Sequence, residues 1–222
     1  MIAVVDYDTG NLRSVADALR RAGAEFTLTA DAALLRRAER VILPGVGEAS
    51  SAMEKLRERG LDKVLPTLTC PVLGICIGMQ LLCLSSEEGA AECLGIFPTR
   101  VRRLPATAEV PPATDGMTAG MDAAGMDAPT APAGSRLKIP HVGWDTISGL
   151  CPPLFEGIPE ESYVYYVHSY AADLCPATIA TTGYGRRFSA ALRRDNFFGT
   201  QFHPEKSGAT GARILQNFLN LQ

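Results

Sequence analysis

Cys76 stands between two glycines in the run Gly74-Ile75-Cys76-Ile77-Gly78-Met79-Gln80. An apolar stretch, Val72 to Ile75, leads into it, and helical spacing begins within two residues. Glycine two positions to either side is the pattern of a nucleophile elbow. Without side chains there, a strand can turn sharply into a helix and leave the nucleophile at the bend. The helix that follows directs its first N–H groups and positive dipole end at the sulfur, which favours thiolate. The plainer reading is a small buried hydrophobe. We accept it for Cys70, Cys83, Cys93, Cys151 and Cys175, whereas the paired glycines count against it for Cys76.

A nucleophilic thiol needs a base, and the base needs an orienting acid. Gly199-Thr200-Gln201-Phe202-His203-Pro204-Glu205 supplies both. If the chain stays extended through Pro204, residues two apart point to one side, so His203 and Glu205 share an edge. Acyl transfer through a thiol also creates an oxyanion that two backbone N–H groups must hold. Leu43-Pro44-Gly45-Val46-Gly47 ends another apolar run in a glycine-flanked turn, so Val46 or Gly47 can offer one donor and Ile77 the other. Gly-x-Gly alone is a weak phosphate-loop signal, and the Lys-Ser/Thr of nucleotide motifs is missing.

Positioning these pieces requires a scaffold, and the first part of the chain describes one. Ile2 to Val5 reads as a buried strand. Leu12, Val15, Ala16 and Leu19 follow helical spacing, and Gly23 sits where a C-cap glycine belongs. Phe26 to Leu28 and Val41 to Leu43 read as strands, Asp31 as an N-cap, and Ala49 to Arg59 as a helix. Alternation of this kind predicts a mainly parallel sheet with helices on both faces. Further on, Ser162 to Tyr170, Thr178 to Thr182, Phe188 to Leu192 and Phe197 to Phe202 read as strands. Gly183-Tyr184-Gly185 and Arg194-Asp195-Asn196 separate them. Thr210 to Leu221 closes the chain as a helix. The fold class is therefore α/β, an open and mainly parallel sheet with an antiparallel extension.

The chain has 222 residues, 46% hydrophobic and 20% charged, with a formal charge of −3. That is the size and balance of one globular domain, here spanning 1–222. The acidic balance argues against a nucleic-acid binder, and no apolar stretch approaches the ~18 residues of a membrane span. The N-terminus lacks the layout of a signal peptide, so a cytoplasmic location with free thiols is expected. No Cys-x-x-Cys pair occurs and there are three histidines, which makes a metal site a poor reading; nothing identifies an organic cofactor either.

One tract stands apart. From Pro105 to Gly134 there is no Lys, Arg or aromatic residue, but there are Glu109, Asp115, Asp122 and Asp127, and three of the six methionines in a degenerate Gly-Met-Asp repeat. Its four carboxylates alone make the chain acidic. Ala, Pro, Thr and Gly bury too little apolar area to offset ordering entropy, so the expectation is a loosely held surface insertion. A Met-rich binding segment is the alternative.

Gly74-Ile-Cys-Ile-Gly-Met-Gln80 together with His203-Pro-Glu205 resembles the class I glutamine amidotransferases and their Cys-His-Glu triad. The resemblance narrows to the glutaminase subunits of imidazole glycerol phosphate synthases. It does so through Val5-Asp-Tyr-Asp-Thr-Gly-Asn-Leu-Arg-Ser14, Pro44-Gly-Val-Gly47, Ile139-Pro-His-Val-Gly-Trp144, Tyr165-Tyr-Val-His-Ser-Tyr170 and Gly199-Thr-Gln-Phe-His-Pro-Glu-Lys-Ser207. The motifs span the chain except for the 105–134 tract. The resemblance implies a flavodoxin-like amidotransferase fold, with Cys76 attacking the glutamine side-chain amide, His203 moving the protons and Glu205 orienting it. It further implies that Gln80, His168, Ser169 and Tyr170 hold glutamine. Ammonia would pass to a (β/α)₈ cyclase subunit in histidine biosynthesis, with Asn11, Trp144, Tyr165 and Lys206 near that interface. The residues alone also allow a helix N-cap for Asn11, core aromatics for Trp144 and Tyr165, and a solvated Lys206.

Two departures stand out. Asp145 occupies a position where the family more often has Asn, and the 105–134 tract is not part of the family pattern. Three other readings stay open: a glutaminase subunit of another synthase such as anthranilate synthase, a stand-alone cysteine hydrolase, and a silent interaction domain.

Overall fold

The computed structural model describes residues 1–8, 11–108 and 134–221. The parallel half is built as the hydrophobic spacing predicts. β1 (Ile2–Val5) leads to α1 (Leu12–Arg21), β2 (Phe26–Thr29), α2 (Ala32–Arg37), β3 (Arg40–Leu43), α3 (Ala49–Glu58) and α4 (Leu61–Val64). Val15, Ala16, Ala18 and Leu19 form the buried stripe of α1, and Gly23 ends it at φ 69°. The Asp31 carboxylate accepts the Ala33 and Leu34 N–H groups and so caps α2. β4 (Val72–Ile75) then runs directly into the short α5 (Ile77–Leu81).

The second half contains β5 (Ser85–Ser86), β6 (Ala91–Glu92), β7 (Arg100–Arg103), β8 (His141–Ile147), β9 (Ser162–His168) and β10 (Tyr170–Ala172). β11 (Thr178–Tyr184), β12 (Arg186–Arg194), β13 (Phe197–Thr200) and α6 (Gly208–Leu219) complete it. The main sheet has the order β11-β12-β13-β4-β3-β1-β2. β13, β4, β3, β1 and β2 run parallel, and β12 and β11 add on antiparallel. Its interior strands are apolar because they are covered on both faces; β1 and β4 are buried at every position.

Three details differ from the sequence reading. β11 continues through Tyr184, so the turn to β12 is Gly185 alone, at φ 73°. β10 joins a separate four-stranded sheet, β10-β7-β5-β6, instead of prolonging β9. β8, which local spacing does not mark as a strand, pairs with β9 in a sheet of its own, with Val142 opposite Val167 and Trp144 opposite Tyr165. Most of the Pro105 to Gly134 tract lies outside the described residues. Its ends meet: Ala108 N–H donates to the Ser135 carbonyl at 3.0 Å and Gly134 N–H to that of Ala108 at 3.1 Å.

Candidate active site

β3, β4 and β13 are neighbours in the parallel part of the sheet, so the loops leaving their carboxyl ends converge. In open α/β sheets that edge is where ligands bind. Here it collects Pro44–Gly47 after β3, Cys76 after β4 and His203 after β13.

The elbow is tight. Cys76 sits at φ 53°, ψ −110°, a conformation L-residues rarely adopt. Its N–H donates to the Thr200 carbonyl at 2.8 Å, tying β4 to β13 at the bend. The glycines are needed for close approach. A Cβ on Gly78 would stand 1.8 Å from the Leu43 carbonyl oxygen, and one on Gly74 2.7 Å from the Gly78 carbonyl. A Cβ on Gly45 would come 2.6 Å from the Gly78 nitrogen. The β3 loop is thereby laid directly against the start of α5. Tyr7 holds it from the other side, its buried hydroxyl donating to the Pro44 carbonyl at 2.8 Å.

His203 and Glu205 meet by a different route from the one expected. The chain does not stay extended; Pro204–Lys206 coil into a single 3₁₀ turn. Lys206 N–H and the Ser207 hydroxyl both donate to the His203 carbonyl, at 3.0 and 2.7 Å. The turn brings Glu205 Oε1 to 2.8 Å from His203 Nδ1, with both side chains buried. Proline at the first position of the turn loses no hydrogen bond, and its fixed φ suits the turn. His203 N–H donates to the Tyr165 carbonyl at 2.9 Å, so β9 fixes the imidazole's backbone.

Electrostatics follow from this packing. Burial pushes His203 toward the neutral form. The hydrogen bonds to Cys76 and Glu205 and the attraction of both groups outweigh it and raise the imidazole to about 10. His203 is therefore held as the cation. His168 goes the other way, to about 3, through burial first and then the charge of His141.

A cavity of about 290 Å³ opens beside Cys76. Val46, Gly47, Ile77, Gln80, His168, Ser169 and Tyr170 line it together with Cys76. His203 faces it, and the exposed Lys206 stands at its margin. Glu205 lies behind His203. All the residues assigned from the sequence to catalysis, oxyanion binding and substrate binding thus border one cavity or stand directly behind it.

Gln80 has a double role. Its Nε2 donates to the Tyr170 carbonyl at 2.9 Å and to Gln201 Oε1 at 3.0 Å, while Gln201 Nε2 approaches Cys76 Sγ at 3.7 Å. Gln80 Oε1 is buried with no partner among the described residues. Glu88, which no local pattern singles out, also lines the cavity. It accepts the Ala49 N–H at 3.0 Å, and burial raises its carboxyl.

The four residues assigned to a partner interface separate. Trp144 and Tyr163 are 54% and 61% exposed and share one face of the β8–β9 sheet with Val142 and Val167. Tyr165 lies on that face too, its ring edge-on to Trp144. Asn11 precedes α1 but its side chain does not cap the helix; Nδ2 donates to Glu205 Oε1 at 2.6 Å. Asn11 thus steadies the acid behind His203, a contact between residues far apart in the chain that no local spacing signals.

The family profile described as Glutamine amidotransferase class-I matches residues 3–221. The chain belongs to the class I glutamine amidotransferases. Within them, the amidotransferase is 47% identical over 220 residues to the imidazole glycerol phosphate synthase subunit HisH of Bacteroides fragilis strain YCH46, covering 99% of each chain. To the HisH protein of Yersinia pseudotuberculosis it is 41% identical over 222 residues, again covering 99% of each. Among solved structures, PurLQS from Thermotoga maritima overlays it with a TM-score of 0.64 at 17% identity, covering 99% of this chain and 97% of that one. A glutamine amidotransferase from the same organism gives 0.59 at 16% identity, covering 99% and 82%. These two likenesses confirm the amidotransferase fold. Among the described residues, no group of three or more His, Cys, Asp and Glu side chains is placed to hold a metal, and no helix is long and apolar enough to cross a membrane.

Proposed function

We propose that this amidotransferase is the glutaminase subunit of an imidazole glycerol phosphate synthase and that Cys76, His203 and Glu205 carry its chemistry. The observation that carries the reading is the meeting of Cys76 with a buried His203–Glu205 pair on the wall of one cavity. Cys76 thiolate adds to the amide carbon of glutamine, and the oxyanion forms beside the Val46, Gly47 and Ile77 N–H groups. The His203 cation gives its proton to the departing nitrogen, and ammonia leaves a glutamyl thioester. Neutral His203 then takes a proton from water, whose hydroxide adds to the thioester; collapse expels the thiolate and releases glutamate. Glu205 keeps one His203 tautomer and stabilises the cation at both ends of the cycle.

Glutamine offers an ammonium and a carboxylate at its far end. The unpartnered Oε1 of Gln80 and the Glu88 carboxylate supply acceptors for the ammonium, and the Ser169–Tyr170 segment completes the wall. Released ammonia must avoid water and protonation. The exposed apolar face of Val142, Trp144, Tyr163 and Val167 is suited to be covered by the cyclase that receives it. The chain is read as a single amidotransferase domain with an insertion at about 105–134, whose two ends are joined by the Gly134 N–H on the Ala108 carbonyl. Six unpaired thiols fit work in the cytoplasm.

The test is covalent trapping. A glutamine analogue with a diazoketone in place of the amide should add once per chain, on the peptide containing Cys76, and fail to add to Cys76→Ala. Labelling spread over the other cysteines would overturn the assignment.

A further inference from the structure

A backbone carbonyl fixes the polarity of one buried hydrogen-bonded chain, and that chain ends on the nucleophile. The Tyr170 carbonyl only accepts, so the Gln80 atom 2.9 Å from it is Nε2. The same nitrogen lies 3.0 Å from the Gln201 amide, which must present Oε1 to it, since Nε2 there would set donor against donor. Gln80 Nε2 has two hydrogens, and these two acceptors use both. With its oxygen committed to Gln80, Gln201 turns Nε2 toward Cys76 Sγ, 3.7 Å away. Gln201 is fully buried, and its own backbone N–H donates to the Ala190 carbonyl at 2.8 Å. Thr200, the residue before it, accepts the Cys76 N–H at 2.8 Å. The end of β13 thus grips the cysteine at two points, its backbone and its sulfur.

We propose that Gln201 is a further catalytic residue, whose Nε2–H donates to the Cys76 sulfur and assists its expulsion from the glutamyl thioester. The role rests on the glutaminase reading of the site. A thiol also accepts this N–H, because its own hydrogen can point to the Val167 carbonyl, 3.8 Å from Sγ. The bond strengthens when the sulfur carries charge, as hydrogen bonds to ions do. In the proposed cycle the sulfur is uncharged in the thioester and regains its charge when that bond is broken. Hydroxide adds to the thioester carbon, with His203 holding the proton taken from water. The carbon–sulfur bond then breaks, its electron pair goes to the sulfur, and the new carboxyl group leaves as glutamate. The Gln201 N–H meets that pair as it arrives, already oriented and out of reach of water. On the addition step the same bond restrains the attacking thiolate, so its benefit falls on deacylation. Unlike His203, the amide passes no proton; it only donates a hydrogen bond.

Gln201→Met keeps the length of the side chain and removes the donor, while Gln80 keeps the Tyr170 carbonyl. With glutamine and a cyclase loaded with its nucleotide ligand, quench-flow should trap a glutamyl adduct on the Cys76 peptide. In Gln201→Met that adduct should decay about tenfold more slowly. Because deacylation then limits turnover, kcat and KM should fall together and kcat/KM should stay within about threefold. Adduct decay at the unsubstituted rate, or a loss of kcat/KM with no slowing of decay, would overturn the proposal. The contact itself is read without turnover. In nitrogen-15 spectra the side-chain amide of Gln201 should shift in Cys76→Ala and that of Gln80 much less. A Gln201 amide indifferent to Cys76→Ala would overturn the proposal even if Gln201→Met failed to fold. An unsubstituted protein that releases no glutamate would instead sink the glutaminase reading and the catalytic role with it, while the amide shift would still decide whether Gln201 donates to the sulfur.

Discussion

Replacing Glu205 with Gln isolates the charge of the acid proposed to orient His203. Two donors, His203 Nδ1 at 2.8 Å and Asn11 Nδ2 at 2.6 Å, converge on the same oxygen, Oε1. A glutamine amide must therefore turn its oxygen toward them, which preserves the hydrogen bond and the His203 tautomer while removing the negative charge. Removing one partner of a buried ion pair costs about 3–5 kcal/mol. Because the bond survives and the cavity wets one side of His203, the lower end applies. At 1.36 kcal/mol per factor of ten, about 3 kcal/mol is roughly a 100-fold fall in kcat/KM. The amide nitrogen replaces Oε2, which is buried without a partner among the described residues, so some stability is lost too, about 1–3 kcal/mol for an unsatisfied donor. The assay is glutamate release at saturating cyclase and nucleotide ligand, with the thermal midpoint measured in parallel. Glu205→Ala, which also frees the tautomer, should be at least as damaging. Activity of Glu205→Gln within threefold of the unsubstituted enzyme would refute the reasoning.

Cys76→Ala should lower the His203 titration from about 10 toward the ordinary range, because the contact with Cys76 is the first of the effects that raise it; imidazole NMR against pH reads this directly. The opposite perturbation marks His168. The unfolded chain binds a proton there below about 6.5, which the native protein refuses until about 3, so this residue makes stability rise with pH across that window and fall as the solution is acidified through it. His168→Asn should flatten that part of the acid limb in urea unfolding. Gly78→Ala should prevent folding or abolish activity, because its methyl would meet the Leu43 carbonyl at 1.8 Å, backbone that cannot move aside; soluble yield and circular dichroism check it. Excising residues 109–133 with a short glycine link between Ala108 and Gly134, whose backbones already pair, should leave the thermal midpoint within about 4 °C.

The parallel half of the fold was legible because each element announces itself locally: apolar runs of four residues, a helical stripe, the Asp31 cap and the Gly23 stop. The elbow was legible for a sharper reason. Gly74 and Gly78 sit where a side chain would strike backbone, and glycine two residues to either side of a cysteine is visible without any structure. The β8–β9 sheet was harder to see, since its outward face carries Val142, Trp144, Tyr163 and Val167 where a half-buried strand would carry polar residues. Local spacing also misled at the joint between His203 and Glu205. Pro204 fits an extended chain or the first position of a turn equally well, and the Ser207 hydroxyl on the His203 carbonyl decides for the turn.

What spacing could not supply were contacts made across the sheet. Asn11 and Glu205 are 194 positions apart, and His141 and His168 are 27 apart, joined by a strand register that composition does not encode. Glu88 reaches the cavity from a short turn whose sequence, Glu87-Glu88-Gly89, reads as solvated surface. Sequence patterns singled out the groups that meet at the cavity; tertiary packing determined which neighbours hold them.

Glutamate release from glutamine tests the proposed chemistry and its partner together. It is measured for the purified chain alone and with a cyclase loaded with its nucleotide ligand, beside Cys76→Ala under both conditions. Release should be low alone, strongly stimulated by the loaded cyclase, and absent from the cysteine variant. Release that is indifferent to the cyclase, or that survives loss of the Cys76 thiol, would contradict the assignment.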